Sequence, residues 1–525
     1  MEKITVPALL SKYKARVEAG QIQFLKQSEV QKEILDILNS LIEDFEEAEK
    51  KANKKGNLSE HLDWYETHKK GTKLWRRLVS YALNDIDADS KGNSKLFEYL
   101  DAATKFEDLL YGLDRYYRDH TLHCLWVYFL GEYILRDLLP YIHSNLNWYL
   151  FNDIEKDKSE YSQALLKKAI DKEKELCEQV NKKRDAIWCI MALCHDLGYS
   201  LAKLDKLNEK VKAVLGFFDL PRFQHIGYSL DVEHEYHVSQ FLELMAMDVR
   251  IIPSENLKET LVKGYRDDST YWRLCRALEK KQHGILSAYL IYKTLGIFAD
   301  SCVRGPAEDW GFDDEEAIDN IIRGDILFAI TQHEFDFANL EQLSSLADIL
   351  ILADELEEFS RYGRQILSRK YYDTTADATV SFKPRKIEQG QNVEINIVYD
   401  TAKHLQQEDV YHFYIRKAEQ MCKFYSLSPL KKKDSKFCAI KNIKMTVKKE
   451  GQSLDFGLSR DKDPTTITAN LPKAKFEDDD YKKYGLEKKD CDEREYSLTC
   501  DDDKLFVRVK NAKVPLREWL GTSDK

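Results

Sequence analysis

Two long stretches of the chain, from Ile22 to about Leu110 and from Arg118 to Tyr362, return an apolar residue every three or four positions. That period follows the turn of an α-helix and conflicts with the two-residue alternation of a strand, so most of the chain has to be packed as helices. In VQKEILDILNSLIEDFEEAEK, Asp and Glu fill many of the intervening positions, as on the wet face of an amphipathic helix. KKGNLSE from Lys54 and DADSKGN from Asp87 read as turns, which makes residues 1–110 an N-terminal helical extension. CLWVYFLGEYILRDLLP and GILSAYLIYKTLGIFA are apolar nearly throughout and are expected as core helices of an all-α domain at 111–365, with an insertion or lid at about 203–281.

After about Thr375 the period changes. ATVSFKP and NVEINIVYD alternate as strands do, QEDVYHFYIRKAEQMCKFYSL reads as a helix, and AIKNIKMTVKKEGQSLDFGLS alternates again. These elements predict a small α+β domain at 376–459. The strongly charged KFEDDDYKKYGLEKKDCDERE makes 460–525 a charged linker and C-terminal segment, in which KLFVRVKNAKVPLREWL has the pattern of one strand and a short helix. The fold class expected is predominantly α.

Composition narrows the functional classes. With 80 basic and 91 acidic residues the net charge is -11, which argues against a uniformly basic nucleic-acid surface. The ten cysteines form no CxxC pair, so neither a disulfide scaffold nor a zinc-thiolate module is expected. No apolar run approaches the roughly 18 residues of a membrane span, and the first residues lack a secretory pattern. The expectation is a cytoplasmic protein without membrane insertion.

The chemistry-bearing residues sit where apolar helices begin, end or turn inward. In YRDHTLHCLWV, His120 and His123 are three apart and share a helix face. CHDLGYSLAK places His195 and Asp196 directly after the apolar AIWCIMAL. His283 leads GILSAYL, His333 follows ILFAITQ, and Asp354 interrupts the apolar LADILILADEL. A buried carboxylate requires protonation, hydrogen bonds or a cation. Any one of these residues alone fits a hydrogen-bonded core, but their repeated placement favours a shared centre.

The order His, His-Asp, His, His, Asp resembles the HD superfamily of metal-dependent phosphohydrolases, over roughly Arg118 to Gly363. The resemblance implies that His123, His195, Asp196 and Asp354 hold one cation, that His283 and His333 add ligands for a second, and that Asp196 bridges the two. One or two divalent ions follow, and mixed imidazole and carboxylate ligands suit Mn, Fe, Co, Ni or Zn better than Ca. The implied reaction is hydrolysis of a phosphate ester or phosphodiester, with a nucleotide or nucleic acid as candidate substrate. Asp196 then works with Arg118, His120 and Lys203, which lie near the ligands in sequence and suit an anionic substrate. His120 has a second-shell or general-acid role as its alternative, and Lys203 has a solvent-facing one.

Glu334 and Glu355 each follow a proposed ligand and point elsewhere on a helix, so they are expected at most to orient ligands; Asp119 is expected at a helix start. The chain lacks the GYP-type addition of one cyclic di-GMP-hydrolysing group, which leaves that substrate doubtful. His225, His234 and His237 fit a further metal site, substrate or lid contacts, or ordinary surface positions. Lys431 to Glu450 holds eight lysines and two acidic residues, behind the aromatic YHFYIRKAEQMCKFY. A solvated charge run, a nucleic-acid contact and a protein partner through the C-terminal domain are the readings left for it. The competing class is an HD-type ligand sensor or interaction module with little or no turnover.

Overall fold

The structure is a computed structural model that describes residues 2–52, 61–89, 91–110, 119–138, 160–217, 227, 232–253, 260–298, 312–334, 345–357, 359, 376–387, 390–401, 405–426, 439–459, 467–493, 495–501 and 504–522. It is mostly helical, with a strand-rich C-terminal region. After strand β1 (Glu2–Ile4) come helices α1 (Val6–Glu18), α2 (Ser28–Ala52), α3 (Trp64–Ile86), α4 (Asn93–Leu110) and α5 (His120–Tyr133). Next are α6 (Glu160–Lys182), α7 (Arg184–Cys194), α8 (Tyr199–Ala202), α9 (Leu204–Gly216) and α10 (Val232–Met245). A hairpin of β2 (Met247–Pro253) and β3 (Thr260–Arg266) precedes α11 (Asp268–Glu279), α12 (His283–Thr294), α13 (Asp314–Gln332) and α14 (Leu346–Leu356). The hairpin lies inside the stretch expected as an insertion and is a departure from the all-α expectation there.

Helix α5 is buried along its whole length, as an all-round apolar helix must be. It packs against α1, α3, α7 and α14. Asp119 starts it by accepting a hydrogen bond from the Leu122 amide at 3.1 Å. Arg136, in the helical turn that continues α5, links it to α7: it donates from Nε to Glu132 Oε2 of α5 and from Nη2 to Asp185 Oδ1 of α7, both at 2.7 Å. Arg16 of α1 joins them by donating to the Glu132 carbonyl at 3.1 Å, so each buried charge in this group has a partner. Nearby, the hydroxyls of Tyr13 and Tyr128 meet at 2.8 Å between α1 and α5.

The remaining elements build one sheet. Strands β4 (Ala376–Ile387), β5 (Gly390–Thr401), β6 (Ala439–Lys449), β7 (Gln452–Ser459), β8 (Ile467–Asn470), β9 (Glu495–Asp501), β10 (Lys504–Val509) and β11 (Ala512–Pro515) stand side by side in chain order. Neighbours run antiparallel except β5 and β6, which are parallel and are joined by the crossover helix α15 (Gln407–Ser426). Leu454, Phe456 and Leu458 of β7 are buried on one face while Asp455 and Gly457 lie on the other. Short helices α16 (Asp478–Tyr484) and α17 (Leu516–Leu520) complete the region.

The strands continue past 459, the expected end of the small domain, because the segment taken as a charged linker contributes β8 to β11. Its charges lie on the outward positions: in β10, Lys504 and Arg508 are exposed while Leu505, Val507 and Val509 are buried. The sheet also gains β1 at its other edge, where Ile4 pairs with Val380. Among the described residues no helix is long and apolar enough to cross a membrane.

Candidate metal centre

Close backbone approaches bring the helix ends together. His195 stands at the end of α7, with Asp196 in the turn that follows. A Cβ on Gly198 would lie 2.5 Å from the His283 carbonyl, so only glycine lets this turn lie so close to α12. The Gly198 amide donates to Ser287 Oγ at 2.7 Å, and Ser287 Oγ donates to the His283 carbonyl at 2.8 Å. Gly284 performs the same service between α12 and α13, since a Cβ there would lie 2.8 Å from the Ile330 carbonyl. His283 at the start of α12 and His333 at the end of α13 consequently face each other, Nε2 to Nε2, at 3.0 Å. Ser345 begins α14 with a reciprocal cap to Asp348, and Asp354 lies in the last turn of that helix.

The six side chains meet around Asp196. Its Oδ2 lies 3.5 Å from His123 Nε2 and 3.7 Å from His195 Nε2, while its Oδ1 lies 3.0 Å from His283 Nε2 and 3.6 Å from His333 Nε2. Asp354 Oδ1 is 2.9 Å from His123 Nε2 and 3.8 Å from His195 Nε2. Every imidazole has its other nitrogen held. His123 Nδ1 is 2.5 Å from Glu357 Oε2, and His283 Nδ1 is 2.8 Å from Glu334 Oε1. His195 Nδ1 is 2.9 Å from the Ala192 carbonyl, and His333 Nδ1 is 2.5 Å from the Ile330 carbonyl.

Those acceptors suit a proton on each Nδ1 and aim each Nε2 inward, where it can hold either a proton or a metal ion. His195 Nε2 is buried without a hydrogen-bond partner, a state that an electron-pair acceptor would relieve. His123, His195 and Asp354 form one group able to hold an ion, and His195, Asp196 and His333 form another.

Charge balance points the same way. Burial pushes Asp196 toward its neutral form, but the charges of His195 and His283 reverse this and hold its carboxyl well below the usual range. Burial likewise opposes the charged form of His283, and Asp196 with Glu334 overcomes it, lifting the imidazole to about 10. His195 is raised for a similar reason, Asp196 outweighing its burial. The cluster therefore demands positive charge, which protons or cations can supply.

His123, His195, Asp196, His283, His333 and Asp354 are thus brought together. His120 and Lys203 meet at the edge of the centre through a residue that sequence reasoning missed: the Tyr199 ring lies 3.8 Å from the His120 ring and 4.4 Å from Lys203 Nζ. Tyr199 in turn is 5.5 Å from the His283 ring. Arg118 lies outside the described residues.

Of the two glutamates next to ligands, Glu334 supports His283, whereas Glu355 points away and accepts from Gln420 Nε2 of α15 at 2.6 Å. Glu357, fully buried behind His123, was missed. Asp119 also receives His68 Nδ1 at 2.7 Å. His237 is exposed on α10, while His225 and the side chain of His234 lie outside the described residues. Of the aromatic residues before the lysine-rich stretch, Tyr411, Phe413 and Tyr414 are buried, and the side chains of Phe424 and Tyr425 lie outside the described residues. Residues 431–438 lie outside the described residues.

The chain matches no family model, and no curated protein or solved structure is significantly similar to it.

Proposed function

We propose that the chain is an HD-type metal-dependent phosphohydrolase acting on a phosphate ester or phosphodiester, with a nucleotide or nucleic acid as its substrate class. The observation that carries this reading is the single carboxylate of Asp196, which offers one oxygen to His123 and His195 and the other to His283 and His333. A bridging carboxylate between two pairs of inward-facing imidazoles is the donor set of a two-ion centre, and its nitrogen-rich composition favours Mn, Fe, Co, Ni or Zn. Bound by these residues, such ions would acidify a water and offset the negative charge that develops on the phosphoryl and leaving oxygens. The protein's own part is to fix the imidazoles through Glu357, Glu334 and the two backbone carbonyls. Lys203 and His120 orient the anionic ester from the Tyr199 side, and His120 can hold the proton that the leaving oxygen needs. The six cysteines whose side chains are described are all free.

Elemental analysis and hydrolysis of bis(p-nitrophenyl) phosphate, run on the same preparations of wild type and Asp196→Asn, test the reading. About two transition-metal ions per chain with turnover, both lost in the folded variant, is the expected result. Absence of metal after anaerobic reconstitution with Mn or Fe would overturn it. Full metal content without turnover across phosphomonoesters and phosphodiesters would move the sensor reading ahead.

A further inference from the structure

Among the described residues, Leu201, Val214, Phe217, Tyr236 and Trp272 are large apolar side chains left exposed, and all lie in the stretch expected as an insertion. Two of them, Phe217 at 92% exposure and Trp272 at 66%, stand at the far ends of rows of basic residues that start beside the metal centre. Helix α9 buries Asn208 and keeps Leu204, Val211 and Leu215 half-buried beside it. Its outer side carries Lys206, Lys210 and Val214, each one turn or about 6 Å after the last, with Phe217 a turn further. Lys203 begins this row, 4.4 Å over the Tyr199 ring.

Helix α11 repeats the arrangement in the opposite chain direction. Trp272, Arg276 and Lys280 follow at four-residue intervals on its exposed side, and Lys280 stands three residues before His283. Lys281 reaches Asp205 at 3.8 Å, so the two helices meet where both rows start. From Lys203 to Gly216 there are four lysines and two carboxylates, and from Asp268 to Lys281 four basic residues and two acidic ones. Of those carboxylates, Asp205 faces Lys281 and Asp268 accepts from Arg266 Nε at 2.8 Å. On a chain of net charge -11 this surplus is local, and it favours a polyanion.

The placement of the lysines decides between polyanions. A membrane-surface helix offers its apolar side outward, whereas α9 turns that side to the protein and offers lysines. Cations one turn apart suit successive phosphates, and an exposed ring beyond them suits an unstacked base. We propose that this face binds a single-stranded nucleic acid, with phosphates along Lys206, Lys210, Arg276 and Lys280 and bases on Phe217 and Trp272. Binding stands on exposure and charge alone; presentation of the strand to the metal ions as substrate rests on the hydrolase reading.

Fluorescence anisotropy of a labelled oligothymidylate and a labelled oligouridylate of about 16 nucleotides, with the full chain in EDTA, tests the face. Saturable binding is expected at about 50 mM salt, weakening steeply toward about 200 mM. Lys206→Ala/Lys210→Ala should weaken it at least tenfold and lower the slope of log affinity against log salt by about 1.4, the share of two phosphate contacts. Trp272→Ala should cost at least fivefold with little change in that slope. Lys212→Ala, on another side of α9, removes the same kind of charge and should leave both nearly unchanged. Absence of binding at about 50 mM salt overturns the proposal. So does binding that the two-lysine and Trp272 variants weaken no more than Lys212→Ala does, or capture by phosphatidylserine vesicles in place of the strand. The hydrolase reading fails separately: a strand held at this face without turnover of any ester in Mn²⁺ leaves the face standing, whereas ester turnover without strand binding removes the face alone.

Discussion

Glu357 is the sharpest place to probe the proposed metal centre, because it is fully buried and its carboxylate oxygen lies 2.5 Å from His123 Nδ1. Glu357→Gln keeps an acceptor opposite His123 Nδ1 but removes the charge. A hydrogen bond to a charged group contributes about 1.5–3 kcal/mol against about 0.5–1.5 for a neutral one, a difference of roughly 1–1.5 kcal/mol. That corresponds to about a tenfold loss in affinity for the ion held by His123. Glu357→Ala goes further, since the stranded Nδ1 proton can migrate to Nε2 and bond Asp354, 2.9 Å away. In that tautomer His123 is no longer a ligand, and the loss should approach 100-fold.

Glu334→Gln is the internal comparison. The Glu334 side chain is 30% exposed, so water can replace part of its contact with His283, and a loss of only a few-fold is expected at the other position. Titration with Co²⁺ against a competing chelator, fitted to two sites, reads all three variants, and circular dichroism checks their folding. Unchanged Co²⁺ affinity in folded Glu357→Ala, or a larger loss in Glu334→Gln than in Glu357→Gln, would refute this account of how His123 is held.

The pH dependence of the metal-free protein should mirror its histidines. His283 is lifted from 6.5 to about 10 in the fold, so the stability it contributes is fully present below pH 6.5 and is lost as pH rises toward 10. The stripped protein should accordingly melt lower at about pH 9 than near neutrality, while Co²⁺ uptake strengthens with pH and releases protons, measurable by titration in buffers of different ionisation enthalpy; proton-independent uptake would contradict it. Gly198→Ala should cost about 1–3 kcal/mol in urea unfolding, because its Cβ meets the His283 carbonyl at 2.5 Å. Tyr13→Phe should cost about 1–2 kcal/mol by leaving the Tyr128 hydroxyl buried and alone, and the Tyr13→Phe/Tyr128→Phe pair should recover part of that loss.

The helical pattern was legible from local spacing, whereas the six converging His and Asp side chains were picked out as a set by the order they share with the HD superfamily. A His or Asp at the end of an apolar helix signals its burial before any partner is known. The supporting carboxylates were harder to read. LADELEEF offers Glu355, Glu357 and Glu358, and only the path of the chain after α14 turns Glu357 toward His123 while Glu355 meets α15. Tyr199 gave no signal beyond its place after the HDLG turn, since its contacts with His120 and His283 come from distant helices. The sheet beyond Ser459 was obscured because β8 and β11 have four residues each, too few to establish an alternation. In β1, three residues carry no pattern at all until their partner strand is known.

That first strand has a consequence for how the protein is made. Ile4 is fully buried opposite Val380, so it leaves the ribosome long before its partner strand exists. The helix that follows it, α1, packs on α5, and α5 supplies His123. Helical segments can form locally during synthesis, but the pairing of β1 with β4 closes only after β4 has emerged. The β1–β4 pairing is thus a sequence-distant contact, whose loop-closure cost falls late in folding.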